Sequence, residues 1–337
     1  MKRIKCLNGN FFFVSVLLLV SVSLLCCSGG GGGGGAPDNT VGSGTTPTPG
    51  ISSTGTSPTV TLTAPAPAPV SVPADYSGSI DGFSSWLAQQ PVNDEDHPYV
   101  VNLTGLTTVN QINQIRYTLY DHYDYNDENN PPRKYVDLSQ TVLPSGISDL
   151  GSAFSHCMNL VKAPVFPNGV QNVSNCFSHC INLKEPPDIP STVTVIDHCF
   201  ENCFALERAP QLPSGVTDLL SCFSGCHSLT QVPNIPNGVT DMRSCFQGCG
   251  ELVTVPQIPA SVQHLDGCFS GCAKLQTVTI LTSHCVVLDP NCNTGWTNCF
   301  SYCTVLQSVT VPTAATKTEM LASDCEISDA NKIHVAN

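Results

Sequence analysis

The sequence returns to one spelling every 23 residues. Pro144, Pro167, Pro190, Pro213, Pro236 and Pro259 stand 23 apart, and so do Phe154, Phe177, Phe200, Phe223, Phe246 and Phe269. Cys157, Cys180, Cys203, Cys226, Cys249 and Cys272 keep the same interval, as do Leu160, Leu183, Leu206, Leu229, Leu252 and Leu275. A further copy with Phe300, Cys303 and Leu306 follows after 31 residues, its eight extra residues falling inside LTSHCVVLDPNCNTGW. A period of this length marks a solenoid, because a single unit cannot bury its apolar face and stacked neighbours must do so for one another. The expected fold is an α/β solenoid of about seven 23-residue units over residues 143–312, with short strands and short helical turns.

Each unit reads as a short apolar strand (Leu229-Thr-Gln-Val232), a Pro-bracketed corner, an apolar pair (Val239, Met242) and a helical turn carrying Cys-Phe-x-x-Cys-x-x-Leu. On a helix, Cys245, Cys249 and Leu252 share one stripe with Phe246 beside it, which predicts the interior of the coil. Prolines 164, 187, 210, 233 and 256 each remove a ladder donor and predict strands of about four residues. The flanks read as caps for the open ends. Residues 76–142 hold a strand (99–106), a helix (NQINQIRYTLYDHY) and a second strand (KYVDLSQT); residues 313–337 suggest a closing helix and a last strand.

The N-terminus has basic Lys2, Arg3 and Lys5 ahead of a 15-residue apolar run, Phe11 to Leu25. A spanning helix needs about 20 such residues, so this run fits the core of an export signal. It ends in SLLCCSGGG, which resembles a bacterial lipoprotein signal, with Cys27 the lipidated residue, Leu24 at −3 and the small Cys26 at −1. An ordinary cleaved signal, or an uncleaved anchor, is the alternative. Residues 1–27 are thus expected to be the signal and anchor. Residues 28–75, made of Gly, Ser, Thr, Pro and Ala, read as a disordered tether with a span of roughly 35–40 Å.

A formal charge of −13 argues against nucleic acid and against anionic lipid as partners. No Gly-x-Ser-x-Gly, His-Glu-x-x-His or phosphate-binding loop stands in a suitable setting, and every cysteine past the anchor belongs to the repeat or its flanks, so neither an enzyme nor a cofactor is expected. The acidic run DHYDYNDENN (121–130) offers Asp124, Asn126 and Glu128, but without the Gly of a calcium loop a solvated loop is the plainer reading.

Of 19 cysteines, 16 remain after Cys6, Cys26 and Cys27. Zinc is disfavoured, since C-x3-C is not zinc-ribbon spacing and no histidine accompanies every copy. Two readings stay open. The thiols form a reduced ladder of small apolar groups, or they staple successive units as Cys157–Cys176, Cys180–Cys199, Cys203–Cys222, Cys226–Cys245 and Cys249–Cys268. Cys272–Cys299, Cys285–Cys292 and Cys303–Cys325 would complete the second set. Ala153 stands where later copies have the first cysteine, and that unit has no preceding thiol to meet, which suits the staples.

The pattern F-x-G-C-x-x-L-x-x-V, in copies such as FSGCHSLTQV and FQGCGELVTV, resembles the leucine-rich repeats of BspA-like bacterial surface proteins. Two features depart from it: Pro-x-Ile-Pro replaces Thr-Ile-Pro in the first five units, and Cys replaces the Ala before Phe. The resemblance implies a leucine-rich repeat solenoid, a core-filling role for the F-x-x-C cysteine, and a cell-surface adhesin that binds host or partner-cell proteins such as matrix or surface components. In such a solenoid the positions after the buried Leu line one open face. Here they include Lys184, Glu185, Glu207, Arg208, Thr230, Gln231, Thr254 and Gln276, with Val161-Lys162 and Gln307-Ser308 at the ends. The expectation is a lipid-anchored protein at the bacterial outer membrane, exposed at the surface and monomeric, that binds proteins along this strip. A structural or antigenic coat protein without a specific ligand is the alternative, and an exported hydrolase a third.

Overall fold

Side chains that the period places one coil apart lie on top of one another. In the computed structural model, which describes residues 73–120, 134–285, 295–327 and 329–336, Phe154, Phe177, Phe200, Phe223, Phe246, Phe269 and Phe300 form one column. Their ring centroids are 5.5–5.9 Å apart and the ring planes within 17° of parallel. The leucines at 160, 183, 206, 229, 252, 275 and 306 are buried with them. Cys27, the tether as far as residue 72, the acidic run 121–130 and Cys292 lie outside the described residues.

The elements in chain order are β1 (Tyr76–Gly78), α1 (Ile80–Gln89), β2 (Tyr99–Leu103), α2 (Val109–Leu119), β3 (Val136–Asp137), β4 (Leu160–Lys162), β5 (Thr277–Thr279), β6 (Ser308–Val311), α3 (Ala314–Ala322) and β7 (Ile333–Val335). All named pairings are parallel, in a sheet ordered β1-β2-β3-β4 and another ordered β5-β6-β7. Between them the coils meet through single bridges, among them Lys162↔Glu185, Arg208↔Gln231 and Thr254↔Thr277. The prolines explain the difference. Coils with Pro at 187, 210, 233 or 256 lose a donor and form no named strand, and the coil with Pro164 keeps β4 where it pairs with β3 of the flank. The two coils with Thr279 and Thr310 at that place form the three- and four-residue strands β5 and β6.

The expected helical turn is not a helix. Within Cys-Phe-x-x-Cys the second Cys N–H bonds the Phe carbonyl three residues back, as in Cys157 N to Phe154 O at 3.1 Å. The Phe N–H instead leaves its own coil for the first-Cys carbonyl of the next: Phe177 N to Cys199 O, Phe200 N to Cys222 O and Phe246 N to Cys268 O are each 2.9 Å. An α-helix would spend those donors internally and leave nothing for stacking. Two residues per turn therefore adopt left-handed backbone. One set is Ser152, Asn175, His198, Ser221, Ser244, Gly267 and Asn298; the other is His156, His179, Asn202, Gly225, Gly248, Gly271 and Tyr302, with φ from 58° to 79°. The varied residues just before the second cysteine thus answer to one requirement, which Gly, Asn and His meet most readily. Asx turns lead in: Asp149, Asn172, Asp218 and Asp241 each accept the N–H two residues on, at 2.7–2.9 Å.

The N-terminal flank is richer than expected. Besides β2 and α2 it contains β1 and α1, whose buried Ile80, Phe83 and Leu87 keep helical spacing. The anticipated strands at 99–106 and 134–141 shrink to Tyr99–Leu103 and Val136–Asp137. A capping box, Thr108 with Gln111, starts α2. Buried Thr141 ties β2 to the chain just ahead of the first coil, accepting from Leu103 N and donating to Val101 O, both at 3.0 Å. At the other end, α3 and β7 match the expected helix and strand. Cys325 O accepts from Phe300 N at 3.1 Å, as first cysteines do elsewhere, so the stacking bond continues past the last copy.

Truncating a ring in mid-column removes contacts on both sides. Phe223→Ala is expected to lower unfolding free energy by about 3–5 kcal/mol, whereas Gln231→Ala on the exposed strip stays within about 0.5 kcal/mol. Urea denaturation of both variants measures the contrast.

Candidate functional site

The strip after each buried Leu consists of two columns. The second positions run Asp137, Lys162, Glu185, Arg208, Gln231, Thr254, Thr277 and Ser308, and bridges set Asp137 against Lys162, Lys162 against Glu185, Arg208 against Gln231, Thr254 against Thr277 and Thr277 against Ser308. Glu185, Glu207, Arg208, Thr230, Gln231, Thr254 and Gln276 are all exposed, as expected. Val161 is buried, because its coil begins against β3 and the flank covers it.

The strip has two chemical halves. At the N-terminal end the signs alternate: Asp137, Lys162, Glu185, Arg208. Lys162 Nζ lies 3.0 Å from Glu185 and 3.6 Å from Asp137, and the hydrogen bond it donates to Glu185 foremost holds its ammonium above the ordinary lysine value. Opposite charges on facing strand positions stabilise by about 0.2–1 kcal/mol each and fix register. From Thr230 onward the strip positions are uncharged: Thr230, Gln231, Val253, Thr254, Gln276, Thr277, Gln307 and Ser308.

Lys184 is half-buried, and here the structure adds residues that the sequence reading missed. Its Nζ reaches Asp96 at 2.8 Å and Glu95 at 3.9 Å, both in the segment between α1 and β2. The Asp96 hydrogen bond is the main cause of a raised Lys184 value. Nothing local in the sequence joins positions 96 and 184; only the continuation of the parallel ladder into the flank does. A second missed residue is Glu319 of α3. It accepts from Trp296 Nε1 at 2.9 Å and contacts His284 Nδ1 at 2.9 Å, fastening both ends of the insertion in the last copy to the closing helix.

Beneath the strip lie the cysteines. The fifteen within the described residues are free thiols, all buried except the half-buried Cys303, and none of the five pairs from Cys157–Cys176 to Cys249–Cys268 is bonded. The second cysteine of each coil aims its sulfur backwards: Cys180 Sγ to Phe154 O is 3.0 Å, and Cys203, Cys226, Cys249 and Cys272 repeat this contact at 3.1–3.2 Å. A staple such as Cys180–Cys199 would need the sulfur to turn forwards and give up that acceptor.

Burial pushes Cys157, Cys199, Cys203, Cys249 and Cys268 well above the ordinary thiol value, with the neighbouring sulfurs of the same column adding to it, and it pushes Cys303 up to about 12. Protonated, enclosed sulfur is poor at nucleophilic attack and at metal binding. No group of three or more metal-ligating side chains suited to a metal is present among the described residues. Within those residues, too, no helix is long and apolar enough to cross a membrane.

A family model described as a BspA-type leucine-rich repeat region matches in six copies, over residues 134–244 and 197–320, more than half of the chain. Among solved structures the chain is similar to a leucine-rich repeat protein of T. pallidum, at 26% identity over 49% of this chain and 77% of that one, with a TM-score of 0.39. It is also similar to a leucine-rich repeat protein from Bacteroides ovatus ATCC 8483, at 24% identity over 63% of this chain and 47% of that one, with a TM-score of 0.38. A leucine-rich cell surface protein from Faecalibacterium prausnitzii A2-165 matches at 16% identity, covering 55% of this chain and 75% of that one, with a TM-score of 0.22. No curated protein matches.

Thiol titration without reductant checks the interior. The folded protein should expose at most one or two reactive thiols, still so at pH 9, and denaturant should raise the count to fifteen or more. A denatured count near zero would show stapled coils.

Proposed function

Because the chain belongs to the BspA-type leucine-rich repeat family, we propose that it is an exported, monomeric binding protein, held by a lipid on Cys27 at the bacterial outer surface, that adheres to proteins of a host or partner cell. The observation that carries this reading is the strip itself. Exposed side chains from successive coils stand in register with one another, with Arg208 against Gln231 and Thr254 against Thr277. A rigid ladder presents its side chains at little entropic cost, which favours binding a protein surface or an extended segment.

On this reading about seven coils form the binding body. The segments 76–142 and 313–337 cap its open ends. Residues 28–75 hold the body clear of the membrane. The interior supports the same view. With its thiols protonated and enclosed, it supplies packing, and the chemistry available to a partner is that of the surface.

The test combines location with binding. Proteolysis of intact cells should remove the solenoid while periplasmic markers survive. Replacing Glu207, Arg208, Thr230 and Gln231 together by alanine should leave the melting temperature nearly unchanged and lower capture of surface proteins from the partner cell at least about fivefold, as expected when an exposed arginine anchors an interface. Unchanged capture by this variant would exclude the strip as the binding face.

A further inference from the structure

The strip already carries one acidic segment of the protein's own. Asp94, Glu95 and Asp96 form the tip of the connection from α1 to β2, and although Asp96 lies 88 residues from Lys184 along the chain, its Oδ1 meets Lys184 Nζ at 2.8 Å. The base of this connection is fixed. Asn93 exchanges hydrogen bonds with Tyr135, its Nδ2 donating to Tyr135 O at 3.0 Å and its Oδ1 accepting from Tyr135 N at 2.7 Å, and Tyr99 donates its hydroxyl to Pro91 O at 2.9 Å. The tip is a turn closed on itself, Asp94 Oδ1 accepting from Asp96 N at 3.1 Å and His97 N at 2.9 Å and meeting His97 Nδ1 at 2.7 Å, and it can move as a unit. The Asp96 and Asp94 side chains are 76% and 67% exposed, and the reach to the strip consists of the ion pairs to Lys184. Pairs as exposed as this contribute little and open readily.

The surroundings single out Lys184. Lys162 is flanked by Asp137 and Glu185 within the ladder, and its charge is matched there. Lys184 sits in the other column, where Val161 precedes it and Glu207 follows, and the acidic tip is what completes its shell. We propose that Lys184 is the cationic anchor of a subsite for an acidic peptide segment of the binding partner, and that Asp94-Glu95-Asp96 occupies this subsite as a displaceable latch. The subsite rests on the strip reading above and sharpens it: the partner brings carboxylates to the N-terminal half of the strip and uncharged polar groups to the half beyond Thr230. When the partner binds, the tip swings away on its anchored base, so the free protein's affinity is reduced by the fraction of time the latch is closed.

The probe is a labelled peptide of the chain's own residues 91–98, PVNDEDHP, titrated by fluorescence anisotropy into the full-length protein. Opening the latch with Glu95→Gln and Asp96→Asn should tighten peptide binding about two- to fivefold over wild type, the range an exposed ion pair spans. Lys184→Gln in the opened variant should reduce it by at least the same factor, and a peptide with Asn, Gln and Asn for its three acidic residues should bind no better than that variant. Raising salt should weaken binding, because a local Lys184 contact is screened. If the chain's overall charge of −13 governed the encounter, salt would strengthen it instead. Equal affinity in wild type and opened variant, indifference to Lys184→Gln, or no peptide binding at all would each overturn the latch. The alanine-strip experiment is read separately, since it measures partner capture at Glu207 to Gln231.

Discussion

Everything in this structure depends on the bond from each phenylalanine N–H to the first-cysteine carbonyl of the following coil, made beside a stack of buried rings. The contact runs from Phe154 to Phe300, and it decides the shape of the turn, since donors sent to a neighbour cannot close a helix. It also decides the chemistry of the interior. The second cysteine of a coil turns its sulfur back to the Phe carbonyl of the coil before, as Cys180 Sγ does to Phe154 O at 3.0 Å. The same coil-to-coil register, carried to the outer surface, aligns the strip.

Much of this was legible in the residues. A 23-residue period with invariant Phe, Cys and Leu dictates stacking. The exposed strip follows from the residues after each Leu, and the closing helix and strand stood out at 313–337. The helix did not follow. Cysteines four apart satisfy helical spacing, but the left-handed residues at His156, Asn202 and Gly225 contradict it, and their common signal is their readiness for positive φ. In the same way, α1 announced itself through Ile80, Phe83 and Leu87, overshadowed by the stronger pattern downstream.

Other features could not be read locally. The contact of Asp96 with Lys184 exists because β1, β2 and β3 continue the parallel ladder and bring the α1–β2 connection beside the second coil. The clamp of Glu319 on Trp296 and His284 likewise depends on where α3 returns. Such pairings are products of stacking, and a sequence shows them only once the stacking order is known. The proline pattern lies between these cases. Its presence predicted short strands, and its absence at Thr279 and Thr310 accounts for β5 and β6.

Amide hydrogen exchange at the phenylalanines tests the central claim most directly. If neighbouring coils seal one another, the N–H groups of Phe177, Phe200, Phe223 and Phe246 exchange only through opening of the whole solenoid, at one common slow rate that denaturant accelerates in parallel. Rapid and independent exchange at these four amides, with the rest of each coil still protected, would show that the coils do not hold each other and would contradict the account.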